Sequence, residues 1–256
     1  MRFITRGAPC LLAALLAATS VAAPTAAAPS PRFSHAALDT VLARYLHDGS
    51  VDYGALRREH GALDRYLVAV AAARPDGWPR EEQIAFWVNA YNARVLEAVI
   101  RRPGLESVMD VGRSERFPGP GFFREPRPTG GAPRTLEDVE KGILRARFHE
   151  PRVHFVLNCA SRSCPVLPER ALRAATLEAD LESATRRFLT DETRNRIEPR
   201  HALRVSAIFD WYGEDFRAEA GSVQGWIERH WPGRERFASG LSLHFLPYDW
   251  ALNGHW

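Results

Sequence analysis

The sequence predicts an α+β fold, with helices packed on a small antiparallel or mixed sheet. Three observations point there. Apolar residues recur at helical spacing over long stretches, most clearly over 80–101. A strand-like alternation occupies 153–159, and a further strand, Leu241–Leu246, lies near the end of the chain. A late strand joining an earlier central one gives antiparallel or mixed pairing.

A leader precedes the domain. Met-Arg-Phe-Ile-Thr-Arg runs into an apolar, alanine-rich stretch from Ala8 to Ala28, with cleavable small residues at Val21–Ala23 and Ala26–Ala28. A basic region, an apolar region and small residues, in that order, read as a signal peptide over 1–28. Thr19, Ser20, Pro24 and Thr25 break the run before roughly 18 strongly apolar residues accumulate, which argues against a retained anchor. No second stretch suits a bilayer, so no stable membrane insertion is expected after cleavage. Residues 29–256 are then read as a single domain, periplasmic or secreted. The formal charge is +3 and the charges are interspersed, which excludes a nucleic-acid-binding stripe. Oligomeric state is left open.

Ser34 is placed to cap a helix over 35–46, with Leu38, Leu42, Tyr45 and Leu46 on one side. After a short segment around Val51–Tyr53, a second helix is expected over 55–73, carrying Leu56, Leu63, Leu67 and Val70. Pro79 suits the first turn of a third helix running to Arg101. Its buried arc holds Ile84, Trp87, Val88, Tyr91, Val95, Ala98 and Val99. Asn89 and Asn92 share a neighbouring face, where they are either buried amides that hold a loop or orient a reacting group, or partly exposed asparagines on the helix flank. Residues 103–134, rich in Gly and Pro, read as a long loop or broken strand region.

Thr135 and Asp138 form a capping box for a helix with Leu136, Val139, Ile143 and Leu144 inward; Glu140 falls within that apolar arc and needs a partner there. In the strand expected over 153–159, Phe155, Leu157 and Cys159 face inward, opposite His154, Val156 and Asn158. Helices are expected after Thr176, after Ser206 and after Ser222. The aromatic run Phe209–Phe216 either completes the core or lines a carbohydrate or peptide groove.

The chemistry-bearing segment is His154-Phe-Val-Leu-Asn-Cys159-Ala-Ser-Arg-Ser-Cys164-Pro165. A thiolate is an effective nucleophile near neutral pH when an imidazole or a favourable field ionises it. Cys164, in the turn, is expected to be more accessible than the inward Cys159. Ser161, Arg162 and Ser163 surround it, and their backbone N–H groups are placed to stabilise an oxyanion. His154 is the nearest base and His244 its rival; Glu140, Asp249, Asn89 and Asn92 are the candidate partners of the imidazole. In an exported protein, Cys159 and Cys164 equally permit a disulfide, provided the turn brings their Cα atoms within about 7 Å. Metal binding by Cys159, Cys164 and His154 is the weaker reading, since neither CxxC nor HExxH occurs. No P-loop or dinucleotide fingerprint is present, and no cofactor is implied.

Five blocks together resemble the DUF547 family: Ala85–Ala93, Leu136–Arg145, His154–Pro165, Val205–Phe216 and Phe245–Asn253, spanning about 80–253. The family is similar to papain-like and transglutaminase-like folds. That kinship implies a helix packed on an antiparallel sheet, with a thiol and a histidine near their junction. The resemblance includes Glu140, His154, Asn158, Cys159, Ser161, Ser163 and Cys164. Many members carry histidine directly after the glutamate, where this chain has Lys141. A papain-like arrangement also places its cysteine at a helix N-terminus, whereas these cysteines follow an expected strand.

The functional expectation is an exported thiol hydrolase or acyltransferase acting on amide, ester or isopeptide bonds of a cell-envelope peptide or protein. Cys164 attacks, His154 is the base, Glu140 and Cys159 complete the reacting group, and Asn89, Asn92, Asn158, Ser161 and Ser163 bind or orient. The alternative is a noncatalytic periplasmic binding or envelope-assembly domain with structural cysteines.

Overall fold

A computed structural model describes residues 33–112 and 121–256. The expected leader over 1–28 lies outside the described residues, as does part of the Gly/Pro-rich segment. Helix α1 (Ala36–Tyr45) buries Leu38, Val41, Leu42 and Tyr45, and Ser34 Oγ accepts the Ala36 N–H at its start. Strands β1 (Leu46–His47) and β2 (Ser50–Asp52) form a short antiparallel pair. The helix expected over 55–73 is two helices, α2 (Tyr53–Arg58) and α3 (Gly61–Ala72). Glu59 leaves helical geometry between them, and its carbonyl accepts the Tyr45 hydroxyl at 3.2 Å. That bond satisfies a group the break would otherwise strand.

Helix α4 (Arg80–Ile100) follows Pro79 and buries every residue from Ile84 to Ile100. Its apolar surface is a full circumference, the mark of a helix through the middle of a core. The polar members are each matched. Arg94 reaches Glu97 at 2.8 Å, and Arg101 reaches it from the next turn at 2.6 Å. Burial alone would raise Glu97, but hydrogen bonds from Arg94 and Arg101 outweigh it and hold the carboxyl below its ordinary range.

Helix α5 (Gly121–Arg124) leads to a hairpin of β3 (Arg127–Thr129) and β4 (Ala132–Arg134), turned by Gly130 and Gly131 at positive φ. A Cβ on Gly130 would collide with the Trp87 ring at 2.3 Å, so the hairpin sits directly on α4. The expected capping box is present: Asp138 N–H donates to Thr135 Oγ1 at 2.9 Å and Thr135 N–H to Asp138 Oδ2 at 2.8 Å. The helix it opens, Asp138–Phe148, is a π-helix, wider than an α-helix because its bonds run i→i+5.

The strand expected over 153–159 is absent. Pro151–Phe155 is a 3₁₀ turn with proline in its first positions, and Glu150 caps it by accepting the Arg152 N–H at 3.3 Å. Proline and a local cap commit the chain to a turn where alternation alone suggested a strand.

Helix α6 (Leu177–Thr190) is followed by β5 (Arg196–Glu198) and β6 (Ala202–Ser206). Then come α7 (Ile208–Trp211), α8 (Gly213–Ala220) and α9 (Val223–His230), the last capped by Ser222 Oγ on Gly225 N–H at 2.9 Å. The expected late strand is β7 (Ser242–Leu246), and β8 (Gly254–His255) follows. Strand order is β1-β2-β8, β3-β4 and β5-β6-β7, with β2–β8 and β6–β7 parallel. Helices with small antiparallel and mixed sheets are the α+β class expected; β7 pairs with β6, which the expectation did not include. Phe155, Phe188, Phe209, Phe216 and Trp226 form an aromatic core beneath the 3₁₀ turn. Among the described residues no helix is long and apolar enough to cross a membrane.

Candidate functional site

The segment after the 3₁₀ turn is held by side-chain amides. Asn92, from α4, donates to Val156 O at 2.8 Å and accepts Asn158 N–H at 3.0 Å. Asn158 donates to Pro165 O at 2.8 Å, while its Oδ1 accepts Ala160 N–H at 2.8 Å and Asn253 Nδ2 at 3.0 Å. Ala160 takes a left-handed conformation, φ 64°, so that the chain doubles back. Asn89 acts elsewhere, exchanging bonds of 2.9 Å with Leu172 N–H and O, and its Nδ2 also faces His35 Nδ1. All three asparagines are buried and bind backbone.

The doubled-back loop is stitched to the last residues. Arg162 N–H donates to Ala251 O, Ser163 N–H to Asp249 O and Cys164 N–H to Ser161 O. Ser163 Oγ accepts Asp249 N–H at 2.9 Å. Two of the N–H groups expected to serve an oxyanion, those of Arg162 and Ser163, are therefore committed to carbonyls, because the C-terminal segment packs along the loop.

Cys159 and Cys164 are joined as a disulfide, with Cα atoms 6.2 Å apart. The expected order of accessibility is reversed. Cys164 is 2% exposed and Cys159 is half-buried. The reversal follows from the missing strand: without the expected alternation Cys159 stays partly exposed, while Cys164 is buried against Tyr248. Cys164 Sγ accepts the Cys159 N–H at 2.9 Å and the Tyr248 hydroxyl at 3.2 Å. A disulfide sulfur has no hydrogen, so the Ser161 hydroxyl 3.5 Å from Cys159 Sγ is on the donor side, and the one Tyr248 proton, 3.4 Å from the same sulfur, is shared with the nearer Cys164 Sγ. Burial, with a smaller contribution from Glu140, pushes Tyr248 well up against the opposing pull of Arg194, so the phenol keeps its proton.

Beside the disulfide, His154 stacks on Tyr212 with centroids 3.9 Å apart, and Nε2 lies 2.8 Å from Asp215 Oδ2. Arg145 grips the same carboxylate at 2.7 and 2.9 Å and lies 5.0 Å over the Tyr212 ring. Burial would raise Asp215; hydrogen bonds from His154 and Arg145 overcome it and hold the carboxyl far below its usual range. The carboxylate is thus an acceptor, and the His154 proton toward it sits on Nε2. None of the four partners anticipated for His154 reaches it; Asp215 does. Glu140 instead accepts the hydroxyls of Tyr212 and Tyr91, both held protonated by burial. Glu140 and Arg145 flank one ring although five residues apart. Five residues make about one turn when bonds run i→i+5, so the π-helix is what brings them to one side.

Of these groups, Tyr91, Glu140, His154 and Tyr212 line a cavity of about 330 Å³. Cys159, Cys164, Glu140 and His154 line it, with Lys141 beside them, so the structure brings together the residues expected to react. Trp211, Tyr248 and Trp250 form an aromatic wall, with Trp211 and Trp250 stacked at 20° and 5.6 Å. Trp211 is 46% exposed, whereas its neighbour Phe209 is fully buried, so the aromatic run serves both the core and the cavity. Lys141 is exposed at the rim and pairs with Glu137 at 2.6 Å. The rival base His244 is exposed on β7 and lies outside the cavity. Asn89, Asn92, Asn158, Ser161 and Ser163 do not line it. Among the described residues no group of three His, Cys, Asp or Glu side chains is arranged to hold a metal ion.

Residues 75–189 match a protein family described as "Protein of unknown function, DUF547". No curated protein and no solved structure matches the chain.

Proposed function

From a chain whose residues 75–189 belong to the DUF547 family, and which inherits no activity from it, we propose an exported ligand-binding domain with its pocket beside the Cys159–Cys164 disulfide. One observation carries this: a bonded cysteine pair, with the Arg162 and Ser163 N–H groups committed to carbonyls, beside an open cavity that has Trp211, Tyr248 and Trp250 in its wall. The aromatic wall suits a flat or ring-bearing ligand, and Glu140 offers a carboxylate oxygen to a donor on it. A short cell-envelope peptide has both features, an apolar body and amide or amine donors, and the periplasm or the exterior is the proposed setting.

The test is a titration of the oxidised, full chain with cell-wall peptide fragments, read by tryptophan fluorescence. Saturable quenching that weakens at least tenfold in Trp250→Ala is the expected result. No change with any fragment, or equal change in the variant, rejects the pocket.

A second reading is favoured by one fact: Cys159, Glu140 and His154 line one cavity. Cys164 lines it too, but Cys159 is the more exposed, so once reduced Cys159 would be the nucleophile of a thiol hydrolase or acyltransferase acting on amide, ester or isopeptide bonds. Amide and ester turnover that appears only after reduction, and disappears in Cys159→Ala, distinguishes it from pure binding.

A further inference from the structure

The two sulfurs of the disulfide have unequal surroundings. Both cysteines line the cavity, but Cys159 is partly exposed whereas Cys164 is 2% exposed, and Cys164 Sγ has the closer donors, the Cys159 N–H at 2.9 Å and the Tyr248 hydroxyl at 3.2 Å, against 3.5 and 3.4 Å for the Ser161 and Tyr248 hydroxyls beside Cys159 Sγ. Arg194 holds the Cys164 carbonyl at 2.7 Å, which keeps a cation close behind that residue. In thiol–disulfide exchange the rate depends on access to the attacked sulfur and on how well the departing sulfur bears negative charge. Here Cys159 has the greater access and Cys164 the closer donors.

We propose that this disulfide is a thiol-exchange site, at which a low-molecular-weight aliphatic thiol enters the cavity and attacks Cys159 specifically. The thiolate forms a bond to Cys159 Sγ as the Cys159–Cys164 bond breaks, and the electron pair leaves on Cys164 Sγ. The product is a mixed disulfide on Cys159 and a thiolate on Cys164. The Cys164 thiolate then either returns to Cys159 and expels the small thiol, or takes up a proton. In the second case another thiol attacks the small-molecule sulfur, leaving a reduced pair and one small-molecule disulfide for two thiols consumed. The loop favours the return step. Asn158, Asn253 and the Ser161, Arg162 and Ser163 backbone bonds hold both cysteine positions independently of the sulfur bridge, so the two sulfurs stay adjacent after cleavage.

The inference rests on an open cavity, as the binding proposal does, but on no particular ligand. The oxidised full chain is incubated with reduced glutathione under native conditions, quenched in acid and mapped by mass spectrometry. Glutathione is expected on Cys159 in at least tenfold excess over Cys164. Tyr248→Phe is expected to slow the attack roughly three- to tenfold, the worth of one hydrogen bond, and to leave the rate in guanidinium unchanged. A bond that opens only in guanidinium, or adducts divided evenly between the cysteines, overturns the proposal. An unchanged native rate in Tyr248→Phe overturns the role of Cys164 as the stabilised leaving group. Fluorescence titration of the same preparation with peptide separates the two ideas. Exchange without peptide binding rejects the binding proposal alone, and binding without exchange rejects this one.

Discussion

His154 and Arg145 share one carboxylate, that of Asp215, the imidazole at 2.8 Å and the guanidinium in two bonds of 2.7 and 2.9 Å. The arrangement ties the 3₁₀ turn, the π-helix and α8 together at the back of the cavity. Asp215→Asn retains the shape but loses the charge. It is expected to cost about 1–3 kcal/mol at pH 7, below the full penalty of a buried pair because the carboxylate is partly exposed. Since the folded carboxyl is held low, its contribution is complete above the unfolded pKa and fades as pH falls below it. Urea midpoints of parent and variant should therefore differ at pH 7 and converge toward pH 2.

His35 supplies a second pH dependence, of the opposite charge type. Asn89 is oriented by Leu172, so its Nδ2 points at His35 Nδ1, as does the Tyr66 hydroxyl at 2.7 Å. Nδ1 is thus an acceptor, and a proton there would face other protons. Burial, then the Arg173 charge, lowers its pKa to about 4, against a smaller upward pull from Asp39. The unfolded state takes up a proton below about 6.5 and the folded state does not until about 4, so stability falls as pH drops through that window. The loss approaches about 3 kcal/mol by pH 4. His35→Gln should flatten the urea midpoint between pH 6.5 and 4; an unchanged slope would mean that another group titrates.

Phe209 and Trp211 lie two residues apart on α7 but face different media, one fully buried and one 46% exposed. Phe209→Ala should lower stability by about 3–5 kcal/mol through a cavity in the aromatic core. Trp211→Ala should cost under about 1 kcal/mol and weaken peptide binding instead. Chemical denaturation and fluorescence titration of both variants check the division.

Replacing Cys159 and Cys164 together by alanine should leave the domain folded. The bridge closes only a five-residue separation, so its chain-entropy contribution is about 2 kcal/mol, at the low end for disulfides. The amides of Asn92 and Asn158 remain to hold the loop. Loss of cooperative unfolding in the double variant would show that the bridge, and not the amides, organises this region.

Local chemistry accounts for what was legible. The long helix after Pro79, the Thr135–Asp138 capping box, the Ser222 cap and the strand at 242–246 all follow from signals within a few residues of each element. So does the α+β class. The segment 153–159 was misread because alternation describes side chains and not partners: no strand pairs there, while Pro151 and Glu150 settle the turn locally. The exposure of the two cysteines followed that error. Glu140, His154, Cys159 and Cys164 were read as neighbours, and they line one cavity. Tyr212, Tyr248 and Trp250 went unassigned to it, and Asp215 went unassigned to His154, because each arrives from a distant part of the chain. A polar Asp215 beside the buried Phe216 was the available hint.

The wide winding of Asp138–Phe148 makes this region sensitive to counting. Removing one residue, for instance Gly142, would let it tighten to ordinary α pitch. Glu140 and Arg145 would then stand four apart on a regular helix, stacked one above the other. Conversely, α-winding at the present length would splay them about 140° apart. The clamp around Tyr212 thus depends on backbone pitch as much as on side-chain identity, and a substitution scan that preserves length would never reveal it.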